Sequence, residues 1–86
     1  MEKVITILNE EGLHARPAAV LVKKASRFTS DIVLTVDDKE VNAKSLMSVM
    51  TLGLKKEAQI QVIANGDDAE KALNELSELA QNKLGL

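Results

Sequence analysis

The chain has 86 residues, 45% of them hydrophobic and 28% charged, with a formal net charge of −2 and no cysteine. That is enough for one domain, residues 1–86, around one modest core. The charge balance argues against a broad nucleic-acid-binding face, and the lack of thiols excludes disulfides, thiolate metal sites and thiol catalysis. Met1-Glu2-Lys3 runs straight into a β-type segment, so neither a secretory leader nor a membrane span is expected, and the cytoplasm is the expected location.

Residues 2–8 form the first expected strand. Ile5 and Ile7 alternate there with Val4, Thr6 and Leu8, giving one fully buried face and one partly covered. Asn9 to Gly12 turn the chain, with Gly12 available for a backbone conformation that other residues resist. Ala18, Leu21, Val22, Ala25 and Phe28 then recur at helical spacing and predict a helix over about residues 16–28. Pro17 suits its first turn, where a backbone N–H has no intrahelical partner. Lys23, Lys24 and Arg27 make a basic stripe on that helix, either a solvated face or a docking face.

Residues 32–36 are a β-branched second strand, Asp37-Asp38-Lys39 a tight turn, and residues 40–43 a short edge strand with its polar positions toward solvent. Ser45 and Gly53 bracket a short helix as N-cap and C′ residue. Residues 58–64 are the fourth strand, with Ile60, Val62 and Ala64 on one face. Asp67, followed by Glu70, reads as an acidic capping box for a last helix whose Ala69, Ala72, Leu73, Leu76, Ala80 and Leu84 share a stripe. The order βαββαβα, with strands this short, predicts an α+β fold: an antiparallel sheet with its helices on one face.

His14, the only histidine, stands where the first strand hands over to the first helix, beside Arg16 and the only proline. The N–H groups of Ala15 and Arg16 are expected to point outward unpaired at the positive end of the helix dipole. A guanidinium beside them can grip phosphate oxygens in bidentate fashion. In such an anion site an imidazole can be a nucleophile toward a phosphoryl group. On spacing alone, a single histidine there is more often a cap or a surface residue. No second histidine and no cysteine accompany it, so no metal and no cofactor are expected. In the short helix, Leu46, Met47, Val49, Met50 and Leu52 are more apolar residues than one buried face can hold. Val49 and Leu52 suit the core, which leaves Leu46, Met47 and Met50 as an exposed patch able to serve several partners in turn.

The hexapeptide Gly12-Leu13-His14-Ala15-Arg16-Pro17 resembles, position for position, the active-site signature of the HPr family. These are the histidine-containing phosphocarriers of the bacterial phosphoenolpyruvate-dependent sugar phosphotransferase system. The segment from Lys44 to Gly53 is similar to that family's regulatory serine region at the matching distance, and the likeness covers essentially the whole chain. The resemblance implies an open-faced β-sandwich whose four strands lie in the order one, four, two, three, with three helices on one face. It implies that His14 accepts a phosphoryl group from enzyme I, as a pros-phosphohistidine, and donates it to enzyme IIA domains. Arg16 and the amides of Ala15 and Arg16 would hold the phosphoryl oxygens, in a carrier that is not an enzyme turning over alone.

By the same resemblance Ser45 is a site of regulatory phosphorylation, with a serine kinase/phosphorylase and a catabolite-control transcription regulator as further partners. The alternative is a mainly regulatory module acting through phospho-Ser45. The implied docking surface is Ala15, Arg16, Ala19, Val20, Lys23, Leu46, Met47, Met50 and Thr51, on a monomer that binds neither nucleic acid nor membrane. Two positions depart from the family pattern. Glu11 stands where small polar residues are frequent, and a carboxylate near a phosphorylated imidazole is unfavourable unless it points away. Ser48 stands where relatives with the regulatory kinase often carry glycine.

Overall fold

Strand alternation builds one apolar sheet face, and two amphipathic helices cover it. A computed structural model describes residues 1–86. In chain order the elements are β1 (Glu2–Thr6), α1 (Ala15–Ala25), β2 (Asp31–Val36), β3 (Lys39–Asn42), α2 (Leu46–Met50), β4 (Gln59–Asn65) and α3 (Ala69–Gln81), followed by a 3₁₀ turn over Lys83–Gly85. The strands pair antiparallel in the order β1-β4-β2-β3, which is the order the resemblance implied. Ile5, Ile32, Leu34, Ile60, Val62 and Ala64 are buried on the inner face. Against them pack Ala18, Leu21 and Ala25 of α1 and Ala72, Leu73, Leu76 and Ala80 of α3, all buried. Each fully enclosed leucine or isoleucine contributes about 1.5–3 kcal/mol relative to an exposed one. Lys24, from the basic stripe, is tied up at the α1–α3 seam by Glu75 at 3.1 Å, a pair worth no more than about 1 kcal/mol near the surface. No helix is long and apolar enough to cross a membrane.

Several boundaries differ from the expectation, each for a local reason. β1 ends at Thr6 rather than residue 8, yet Ile7 keeps irregular pairing: its N–H donates to Ala58 O (2.9 Å) and its carbonyl accepts from Glu57 N–H (2.6 Å). Glu57 has a positive φ of 74°, and this twist breaks the regular ladder while leaving Ile7 buried. Helix α1 starts one residue earlier than expected and ends at Ala25. Its last turn tightens, with Arg27 N–H donating to Lys24 O and Phe28 N–H to Ala25 O, and this carries Phe28 into the core. β3 and β4 are each displaced by one residue from the expected ranges.

The capping box on Asp67 is overturned. The N-cap of α3 is Asp68, and its side chain makes no cap bond. Its carboxylate instead accepts from Thr29 N–H (2.9 Å), Ser30 N–H (3.0 Å) and the Ser30 hydroxyl, fastening the α1–β2 loop to the start of α3. Those bonds, the Ser30 hydroxyl first, lower the Asp68 pKa to about 2. Three donors from another segment outcompete one local cap. At the other end, α3 stops at Gln81 and does not reach Leu84; Lys83 and Leu84 both take positive φ. Leu84 is still buried, delivered to the core by a turn and not by helical stacking.

Candidate functional site

His14 is the N-cap residue of α1, with extended backbone (φ −91°, ψ −168°) and no side-chain capping bond. Its neighbours anchor it. Leu13, 2% exposed, inserts into the core and donates its N–H to Leu54 O at 2.9 Å. Pro17, at the third helical position, is also buried. Gly12 makes the tight approach possible. Its φ is +75°, and a Cβ there would meet the backbone of Leu54 and stand 2.8 Å from Lys55 Cα. The loop before α1 is therefore seated on the loop before β4, and the His14 side chain stands out from that seat, 45% exposed.

The helix start around His14 carries unused donors. Ala18 N–H closes the first helical bond to His14 O (2.9 Å), Pro17 has no N–H, and the N–H groups of Ala15 and Arg16 donate to nothing within the chain. Arg16 is exposed and forms no ion pair. His14, Arg16 and Pro17 line an open depression together with Asn9, Lys83 and Leu86. Asn9 Nδ2 donates to Lys83 O at 2.8 Å, closing the far wall of that depression. Two free amides, an unpaired guanidinium and a dipole end make a place for an anion with doubly or triply accepting oxygens.

Two acidic residues, Glu10 and Glu11, line the same depression. Glu10 pairs with Lys56 at 2.7 Å; this hydrogen bond, and then the lysine's charge, holds the Glu10 carboxyl below its usual range and raises Lys56. Glu11 Oε2 lies 2.8 Å from His14 Nε2. The carboxylate thus does not point away from the imidazole: it takes Nε2, and Nδ1 has no hydrogen-bond partner. Neither this pairing nor the contributions of Asn9 and Lys83 were foreseen. The i, i+3 spacing of Glu11 and His14 could have suggested the first; no sequence signal connects residue 83 to residue 14.

The second motif lies on α2, which packs beside α1. Ser45 caps it, its Oγ accepting from Ser48 N–H (3.4 Å) and donating to Ser48 Oγ (3.1 Å). Val49 is buried and Leu52 half-buried, as expected. Leu46, Met47 and Met50 are exposed, Met47 to 78%. Ala15, Arg16, Ala19, Lys23 and Thr51 are also exposed and Val20 is half-buried, so every residue of the implied docking surface is accessible on one chain. No cluster of potential metal ligands is present.

Comparison with known proteins places this geometry. The family model described as "PTS HPr component phosphorylation site" matches residues 1–82. Among solved structures, HPr-C-His of Thermoanaerobacter tengcongensis is 45% identical, with a TM-score of 0.95 over 100% of this chain and 97% of that one. The phosphocarrier protein HPr of Bacillus anthracis is 41% identical, with a TM-score of 0.86 over 91% and 93% of the two chains. Crh of Bacillus subtilis, a catabolite-repression protein seen as a swapped, intertwined dimer, is 44% identical, with a TM-score of 0.77 over 87% and 86%. With sheet order, helix placement and the histidine junction in agreement across the full chain, this protein belongs to the HPr family, the phosphocarriers of the phosphotransferase system.

Proposed function

We propose that the chain is a phosphoryl carrier in which His14 Nδ1 accepts a phosphoryl group from phospho-enzyme I and passes it to enzyme IIA domains. The observation that carries this reading is the juxtaposition at the start of α1: an unpartnered imidazole nitrogen, two undonated backbone N–H groups and an unpaired Arg16 guanidinium. Neutral Nδ1 attacks phosphorus, and the amides and guanidinium meet the charge spread over the equatorial oxygens. Catalysis of this kind is mostly positioning and electrostatic stabilisation. The exposed Leu46, Met47 and Met50, flanked by Arg16 and Lys23, supply an apolar centre with a basic rim for docking an acidic partner face. One chain presents the whole surface, so the monomer is the working form of this proposal.

The test is incubation with phosphoenolpyruvate and enzyme I, followed by a check for an acid-labile, base-stable mass gain. The wild type should gain one phosphoryl group; His14→Ala should gain none while unfolding at nearly the same temperature, because His14 is outside the core. Labelling of the alanine variant would refute the assignment.

A second reading adds regulation through phosphorylation of Ser45 by a serine kinase, with a catabolite-control transcription regulator as partner. It is favoured by the place of Ser45, beside the exposed Leu46 and Met47, and by the likeness to Crh.

A further inference from the structure

We propose that Glu11 is a positioning residue for His14: its carboxylate fixes the imidazole tautomer that leaves Nδ1 free to take the phosphoryl group. The proposal rests on the carrier reading above and goes beyond it. Glu11 Oε2 and His14 Nε2 are 2.8 Å apart, a hydrogen-bond distance, and an ionised carboxylate can only accept. The shared proton must therefore sit on Nε2. In a neutral imidazole with Nε2–H, the other nitrogen carries the lone pair. That nitrogen, Nδ1, is the one without a partner at the helix start.

The same contact acts during transfer. The Nδ1 lone pair forms the new N–P bond as the bond from phosphorus to the donor breaks, its electron pair leaving with the donor. The Nε2 proton stays where it is, so the ring becomes an N-phosphoryl imidazolium with Glu11 beside its positive charge. Onward transfer reverses this: the N–P electron pair returns to Nδ1 and the ring is neutral again with no proton moved. Because Glu11 lies against the opposite ring nitrogen, the ring separates it from the phosphoryl oxygens, whose charge is met by Arg16 and the amides of Ala15 and Arg16. Repulsion weakens with distance while the contact to Nε2–H is direct.

Glu11 is 78% exposed, so replacing it leaves the core untouched, and circular dichroism should be unchanged in the variants. The experiment is a long-range proton–nitrogen spectrum of the single histidine, at a pH where the ring is neutral, for the wild type, Glu11→Gln and Glu11→Ala. Single-turnover transfer from phospho-enzyme I is measured alongside. For an exposed carboxylate accepting from a neutral ring N–H, the tautomer ratio should move toward Nδ1–H by roughly two- to fivefold in Glu11→Ala. Glu11→Gln, which keeps an accepting oxygen without the charge, should fall between, and transfer rates should follow the same order. Identical tautomer ratios in the three proteins would overturn the proposal, and so would shifted ratios with equal transfer rates. If the wild type gains no phosphoryl group, the carrier reading fails and with it the transfer role of Glu11, while the spectra still decide whether Glu11 sets the tautomer.

Discussion

Replacing Gly12 by alanine separates two costs that are usually confounded. Gly12 and Gly53 both have positive φ, +75° and +56°, so an alanine at either one bears a left-handed conformation at about 1–2 kcal/mol. The alanine also stiffens the unfolded chain by a similar amount at both sites, which cancels in the comparison. Around Gly53 nothing lies within 4 Å of an added Cβ, whereas at Gly12 it would press on the Leu54 backbone and stand 2.8 Å from Lys55 Cα. Neither obstacle is a side-chain end that can swing aside, so the two loops must part. Overpacking of this kind adds about 1–3 kcal/mol, and losing the Leu13–Leu54 hydrogen bond removes about 0.5–1.5 kcal/mol more.

Gly12→Ala should therefore destabilise by about 2.5–6.5 kcal/mol, against about 1–2 kcal/mol for Gly53→Ala. At about 4–8 °C per kcal/mol for a domain of this size, thermal unfolding should place the Gly12 variant at least 5 °C or so below the Gly53 variant. At low temperature, where both are folded, only the Gly12 variant should transfer phosphoryl groups slowly, because only there is the seat of His14 displaced. Midpoints within about 2 °C of each other, or equal transfer rates, would show that the close approach of the two loops does not hold the site.

Two further outcomes are expected. Ser45→Asp should leave the unfolding midpoint nearly unchanged, since aspartate caps as well as serine, yet slow phosphorylation of His14 by placing a charge beside Leu46 and Met47; equal transfer rates would leave Ser45 as a helix cap only. The Asp68 carboxyl is held at about 2 against an ordinary 3.8, so its contribution to stability is complete above about pH 5 and is lost as pH falls through about 4 to 2. Urea midpoints measured across that window should fall less steeply for Asp68→Asn than for the wild type, and parallel slopes would refute the role given to the Thr29–Ser30 contacts.

The histidine junction was readable because its parts are consecutive: Gly12 to Pro17 carry the turn, the anchor, the imidazole, the guanidinium and the helix start in one run. The sheet faces were readable for the same reason, since alternation in β4 is a local property that pairing only confirms. What escaped depends on partners far along the chain. Asp67 and Asp68 are equivalent as local caps, and only the arrival of Thr29 and Ser30 chooses between them. The expected burial of Leu84 came from continuing a helical stripe, whereas the chain leaves the helix at Asn82 and reaches the core through two residues of positive φ. Glu11 was legible as a charge but not as a direction, because its flexible side chain could have faced solvent, Lys56 or the ring.

The seat of His14 joins segments that are remote in the chain: Leu13 N–H bonds Leu54 O, and Asn9 Nδ2 bonds Lys83 O. Neither contact is local, so the nucleophile is mounted only when the middle and the far segments of the chain have folded back onto the first loop. The amide of Leu13, enclosed and bonded across the molecule, should then exchange its hydrogen only when the whole fold opens.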